Sequence, residues 1–176
     1  MKSYNGFSPE ARNRAQGWLR TEWTSGRLAR PMVCCACGQD HGVIDAHAED
    51  YSEPFKAGVT DEFHLCFTCH MMVHCRFRSP AAWDRYRATV AAGGHFAPAM
   101  KRDFGTFASQ QLDGPQGFAA AMAGFVPGPA PKRLVLEEID TWLSRHKVAH
   151  TADAPHLPKP RRQQLDFLGD AAKRVD

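Results

Sequence analysis

Two Cys-x-x-Cys pairs, Cys34 with Cys37 and Cys66 with Cys69, stand on either side of His47, and His70 and His74 follow the second pair directly. Four thiolates in two close pairs can surround a zinc ion tetrahedrally. Each pair comes from one tight turn, and the metal then ties together segments distant in sequence. Cys35 has the wrong spacing to pair with Cys37, and a site built from two cysteines with His70 and His74 strands Cys66 and Cys69. His41, His47, His64, His70 and His74 all fall between Gly38 and Cys75, more than half of the nine histidines in the chain. Among them, His47 and His70 could converge on a second metal with open coordination positions, a Lewis acid for a phosphate oxygen.

Positioning those groups requires a small set of elements. Gly42-Val43-Ile44-Asp45-Ala46-His47 is short, β-branched and preceded by turn residues, which predicts a strand. Glu62 to Cys66 is its expected partner, with a loop from Tyr51 to Asp61 between them. After Cys66 the spacing of Cys69, Val73 and Phe77 predicts a helix with His70 and His74 on one face, since side chains four apart are neighbours there. Upstream, Ser8-Pro9-Glu10 has the form of a helix start, and Ala11, Ala15, Trp18, Leu19 and Trp23 recur at helical spacing over Pro9 to Ser25. Downstream, Ser79-Pro80 opens a helix carrying Trp83, Tyr86 and Val90, closed by Gly93-Gly94. The apolar anchors from Phe96 to Phe125 predict short helices and loops. Pro127 to Pro131 reads as a linker before a helix through Leu134, Leu136, Ile139, Trp142 and Leu143. Pro155 to Pro160 is expected to be extended, with a final short helix in 161–176. The resulting division is an N-terminal helical arm (1–30), a metal-held core (31–78), a helical extension (79–130) and a C-terminal helix with a Pro-rich basic tail (131–176).

Composition narrows the class. The 176 residues are 43% apolar, enough for a real core, and contain no run long enough to span a membrane. Six cysteines behind an N-terminus without an apolar leader point to metal or thiol chemistry in a reducing compartment, hence to a cytoplasmic protein. Charge is uneven: residues 1–30 carry six Lys or Arg against two acids, 31–75 one against seven, and 76–102 six against one. An acidic centre repels a polyanion unless cations sit in it, whereas basic flanks can grip phosphates on both sides.

Taken in order, Cys-x-x-Cys, Asp-Ala-His-x-Glu-Asp-Tyr-Ser-x-Pro and Leu-Cys-x-x-Cys-His-x-x-x-His resemble the zinc-containing HNH endonucleases of small phage and bacterial type, over about Pro31 to Phe77. The resemblance implies an α+β fold, with a zinc-stabilised ββα-metal core between mainly helical N- and C-terminal extensions. It implies a structural zinc on Cys34, Cys37, Cys66 and Cys69. It also implies a catalytic Mg, Mn or other divalent metal on His47 and His70, with His74 supporting them from outside the ligand set and Asp61 where the family's asparagine braces the loop. The implied partner is double-stranded DNA, with Arg12, Arg14, Arg76, Arg78 and Arg85 as candidate contacts to its backbone.

One position departs from the family pattern. Ala48 stands where these nucleases carry the histidine that acts as general base, deprotonating a water aligned with the scissile phosphate. Four readings stay open: an engineered inactivating change, a degenerate nuclease, a branch with another base (His64, His41 or Glu49), or a module that only binds nucleic acid or protein. A rival reading places partner docking on Trp142, Leu143 and the Pro-rich tail, although Trp and Leu at helical spacing are more often core residues.

Overall fold

The histidine-bearing segments form the strands and the helix that side-chain alternation and helical spacing predict. The computed structural model describes residues 3–55, 62–129 and 135–146. In it, β1 (Ile44–Ala48) pairs antiparallel with β2 (Glu62–Cys66), and α2 (Phe67–Cys75) follows β2 without a connecting loop. The register sets Asp45 opposite Leu65 and His47 opposite Phe63. Since successive side chains alternate, these four share one face, while Ala46, Ala48 and His64 share the other. Phe63, Leu65 and His47 are buried on the first face, which brings His47 toward α2.

β1 begins two residues later than the sequence suggests. Gly42 has φ +76° and its missing Cβ is replaced by the Ala99 carbonyl, whose oxygen would lie 2.5 Å from a Cβ there. The Val43 N–H donates to that same oxygen at 2.8 Å, so Gly42 admits a close crossing of chain instead of a ladder residue. This crossing matters because it carries Arg102 to the hairpin.

On the other flank, α1 (Pro9–Thr24) starts as its sequence predicts, with Ser8 Oγ accepting from the Ala11 N–H at 3.3 Å. Its apolar stripe is only half-buried, and the one buried residue is Arg12. Ahead of it Tyr4 and Phe7 exchange backbone hydrogen bonds of 3.1 and 2.9 Å around Asn5-Gly6, both at positive φ. Asn-Gly is the pairing that a two-residue type I′ turn favours. This turn was not anticipated from the sequence.

α3 (Pro80–Ala92) buries Trp83, Tyr86 and Val90 as the periodicity predicts. The region after it contains the expected short helices, α4 (Phe104–Ser109) and α5 (Pro115–Met122), and also an unexpected strand pair, β3 (Gly94–Phe96) with β4 (Phe125–Pro127). Three-residue strands have too little alternation to be seen in sequence. Gly94 is required there, because a Cβ would meet the Val126 oxygen at 2.4 Å. The segment read as a linker therefore begins inside β4. α6 (Val135–His146) then lays Val135, Leu136 and Ile139 onto the core. Its Asp140 accepts from Trp83 Nε1 at 3.0 Å and pairs with Arg87 at 3.0 Å, tying α6 to α3.

A single buried cluster runs from Cys34, Cys66 and Cys69 through Tyr86 and Phe96 to Phe118 and Ile139. The core of the hairpin and helix is thus continuous with the extension. Residues 56–61 of the expected loop, Leu134, the Pro-rich tail and the final short helix lie outside the described residues, as do the side chains of Trp142 and Leu143. Among the described residues, no helix is long and apolar enough to cross a membrane.

Candidate metal centre

Cys34, Cys37, Cys66 and Cys69 bring their sulfurs within 4.8 Å of one another, all buried. All six cysteines are free thiols, so the grouping is not a disulfide framework. The Cys37 and Cys66 sulfurs are 3.9 Å apart. A tetrahedron with zinc–sulfur bonds of about 2.3 Å has edges of about 3.8 Å, so the spacing is that of a metal cage. Without a cation the sulfurs perturb one another: hydrogen bonding with Cys34 holds Cys37 far below the ordinary thiol value, and the same neighbour drives Cys66 far above it. Tyr86 adds a second sign. Its hydroxyl is fully buried against the cluster, and burial, then the nearby Cys69 and Cys34 sulfurs, keep it protonated as a donor. Four deprotonated sulfurs around a divalent ion would accept from it. These residues could bind a structural metal such as zinc. Of the two spare thiols, Cys75 is buried and accepts from Arg78 Nη2 at 3.1 Å, and Cys35 is half-buried against the core.

A second cluster lies on the β1–β2 hairpin and α2. One ring nitrogen from each of His47, His70 and His74 falls within 4.8 Å of the others. His70 and His74, one helical turn apart on α2, face each other through their Nε2 atoms at 2.9 Å. His70 Nδ1 donates to Asp45 Oδ2 at 3.0 Å, which leaves its Nε2 as a lone pair. Asp45 is in turn held by Arg102, whose Nε donates to Oδ1 at 3.0 Å. His47 is fully buried, with Nε2 at 2.7 Å from Glu49 Oε1 and Nδ1 without any hydrogen-bond partner. A buried, unpartnered imidazole nitrogen costs free energy unless something fills its lone pair. A metal ion would do so, and the donor set of three neutral imidazoles suits a divalent transition ion.

Burial lowers the His47 pKa to about 4, despite the opposing pull of Glu49. His74 is lowered further, by burial first and by His70 and His47 second. Burial alone would raise Glu49, but the His47 hydrogen bond and the Arg76 guanidinium outweigh it and hold the carboxyl at about 2. Asp45 is also lowered, because its hydrogen bonds to His70 and Arg102 exceed the cost of burial. The two lowered histidines bind protons more weakly folded than unfolded, so stability falls as pH drops below the unfolded value of about 6.5, continuing to about 4 for His47. Each contributes about 1.4 kcal/mol per pH unit inside its window. Urea unfolding of protein without added metal from pH 7.5 to 5 is expected to show this loss. A shallower slope in His74→Leu assigns it to the cluster, and an unchanged slope refutes the assignment.

The remaining candidates divide. His64 sits on the Ala48 face of the hairpin, away from the imidazole cluster, and His41 is exposed beside Asp40. Asp61 lies outside the described residues. Glu49 is buried inside the site. Arg14, Arg78 and Arg85 are exposed, Arg14 pairing with Glu53 at 2.9 Å and Arg85 lying 3.9 Å over the Phe118 ring. Arg12 and Arg76 differ from expectation. Arg12 is 7% exposed, its guanidinium 5.2 Å from both the Tyr4 and Tyr51 ring centres. Arg76 is 4% exposed and is taken up by Glu49, Tyr4 and Asp140. Aromatic faces and a buried carboxylate compensate both charges, which periodicity could not foretell. Sequence reasoning also missed Asp45, Arg102 and Tyr4. Asp45 alone had a signal: two residues before His47, it must share that residue's face.

Comparison with family models, with curated proteins and with solved structures finds no match to this chain.

Proposed function

We propose that this chain is an HNH-type nuclease that hydrolyses DNA phosphodiester bonds with a divalent metal held by His47, His70 and His74. The observation that carries the reading is the convergence of those three imidazoles beside the four-cysteine cluster on one hairpin and helix. Bound there, a divalent cation supplies Lewis-acid stabilisation of charge on a phosphoryl oxygen. Asp45 orients His70 through Nδ1, and Arg102, with its side chain 47% exposed, places a positive charge at the edge of the site. Phosphates flanking the scissile bond meet the exposed Arg14, Arg78 and Arg85, whose contacts give affinity without reading sequence. In hydrolysis the water oxygen bonds to phosphorus, the bond to the 3′ oxygen breaks, and the water's proton must pass to a base.

That base is the weak part of the site. Ala48 accepts no proton, and Glu49 already takes hydrogen bonds from Tyr4, His47, Asn5 and Arg76. His64 is the candidate left on the Ala48 face, one diagonal step along the ladder at about 7–8 Å between Cα atoms. Slow cleavage is therefore expected. The test is nicking of supercoiled plasmid with Mg²⁺ or Mn²⁺ by wild type, His47→Ala and Arg102→Ala. Slow nicking that His47→Ala abolishes and Arg102→Ala weakens supports the nuclease. Nicking that persists undiminished in His47→Ala removes the site from the reaction.

Alanine in place of an imidazole at position 48 favours a second reading, a zinc-held module that binds nucleic acid or protein without cutting. DNA retention with no nicking under either metal is its signature.

A further inference from the structure

Glu49 is held by hydrogen bonds on both carboxylate oxygens and lies next to Ala48, the position where the nuclease reading lacks its base. Its carboxylate is fully buried. Oε1 accepts from the Tyr4 hydroxyl at 2.9 Å and from His47 Nε2 at 2.7 Å. Oε2 accepts from Arg76 Nη2 at 2.8 Å and from Asn5 Nδ2. Asn5 Nδ2 also reaches the Glu49 backbone oxygen at 3.3 Å. Four donors fill the four lone-pair positions a carboxylate presents, so Glu49 has no capacity left to take a proton from water.

The arrangement has a consequence for His47. A neutral imidazole carries one N–H, and a carboxylate at 2.7 Å from Nε2 can only be a partner if that proton sits on Nε2. Nδ1 is then the nitrogen with a free lone pair, and Nδ1 is the buried ring atom without a partner. If Nδ1 carried the proton instead, Nε2 would face a carboxylate lone pair to lone pair, and the Nδ1 proton would be buried without an acceptor. Both changes are unfavourable in a dry site.

The donors that hold Glu49 come from two distant places. Arg76 stands just past the end of α2, and Tyr4 and Asn5 come from the tight turn ahead of α1. The Tyr4 ring also packs edge-on against His74 with centroids 4.5 Å apart, and Arg76 donates to the Tyr4 hydroxyl oxygen. The N-terminal turn therefore braces the site from a segment outside the hairpin and helix.

We propose that Glu49 is a positioning residue of the histidine site: it holds the Nε2 proton of His47, leaves Nδ1 free for a metal ion, and is itself locked by Tyr4, Asn5 and Arg76. The proposal rests on the reading of the three histidines as a metal site, and two measurements separate the two ideas. Ring ¹⁵N chemical shifts in zinc-loaded protein without further metal report the His47 tautomer directly. Wild type is expected to show protonated Nε2 and unprotonated Nδ1, and Glu49→Gln to shift that balance, because its amide NH₂ presents hydrogens to the donors around it. Ni²⁺ titration by calorimetry reports affinity, expected to fall about 10–100-fold in Glu49→Gln, the range for losing an outer partner of a ligating histidine. Tyr4→Phe keeps the ring and the carboxylate and removes one donor. It is expected to weaken Ni²⁺ binding less and in the same direction, which preserves the test if Glu49→Gln fails to fold. A wild-type His47 protonated at Nδ1, or Ni²⁺ affinity equal in all three proteins, overturns the proposal. Absence of Ni²⁺ binding in wild type with the Nε2 tautomer intact sinks the metal reading and leaves the positioning of His47 by Glu49 standing.

Discussion

Ala48→His is expected to raise plasmid nicking in the presence of Mg²⁺ or Mn²⁺ by about 10²–10⁴-fold, the span that a positioned general base contributes. Ala48 is the last residue of β1, is only half-buried and pairs with Glu62 at the end of the hairpin where the connecting loop begins, so a larger side chain has somewhere to go. Alternation turns it to the opposite face from His47. In-line displacement calls for that separation: the group that takes the proton from the attacking water lies across phosphorus from the group that stabilises the departing oxygen. A histidine at 48 would be less buried than His47, whose lowered pKa makes it a poor proton carrier near neutrality. Rates from pH 6 to 8.5 are expected to rise and level off as the new imidazole loses its proton. Equal rates for the two proteins would show that the wild-type chain already has an effective base. No nicking by either, with DNA still bound, would retire the nuclease reading in favour of the binding module.

The second large effect concerns the thiols. Cys69→Ser is expected to release one equivalent of zinc and abolish cooperative unfolding, while Cys75→Ser retains both. The two residues lie on the same helix and are 0% and 3% exposed, so burial does not distinguish them; membership of the four-sulfur cluster does. Zinc bound to four thiolates contributes roughly 10–16 kcal/mol of apparent binding free energy in small zinc domains. That matches or exceeds the whole net stability of a typical domain, about 5–15 kcal/mol. Because Cys34 and Cys69 share one buried cluster with Tyr86, Phe96 and Ile139, the loss is expected to spread from the hairpin into α3 and α6. Elemental analysis and thermal unfolding of both variants check this. A Cys69→Ser protein that unfolds like wild type and keeps its zinc content would show that the cluster does not carry the fold.

The cysteine spacing determined the four-sulfur cluster from sequence alone, because a Cys-x-x-Cys pair is a local turn whose two sulfurs must lie close. Helical repeat did the same for His70 and His74: four residues apart on one helix, they had to be neighbours. Ser8-Pro9 and Ser79-Pro80 marked two helix starts to the residue, since the chemistry of a first turn is local too. What the sequence left undecided depended on chain segments crossing at long range. Whether His47 met the other two histidines depended on the strand register, and only the paired hairpin fixed that its face, not that of Ala48, turns toward α2. Arg102 reaches Asp45 through the close passage of residue 99 over Gly42, fifty-seven positions away from the group it holds. Glu49 could be read from sequence as a spare base. Its four hydrogen-bond donors come from residues 4, 5, 47 and 76, and only their assembly in three dimensions shows that the carboxylate is already full. Arg76 and Arg12 carry the same lesson: charge pattern suggests a surface, but a buried carboxylate and two tyrosine rings can hold a guanidinium inside, and neither is adjacent in the chain.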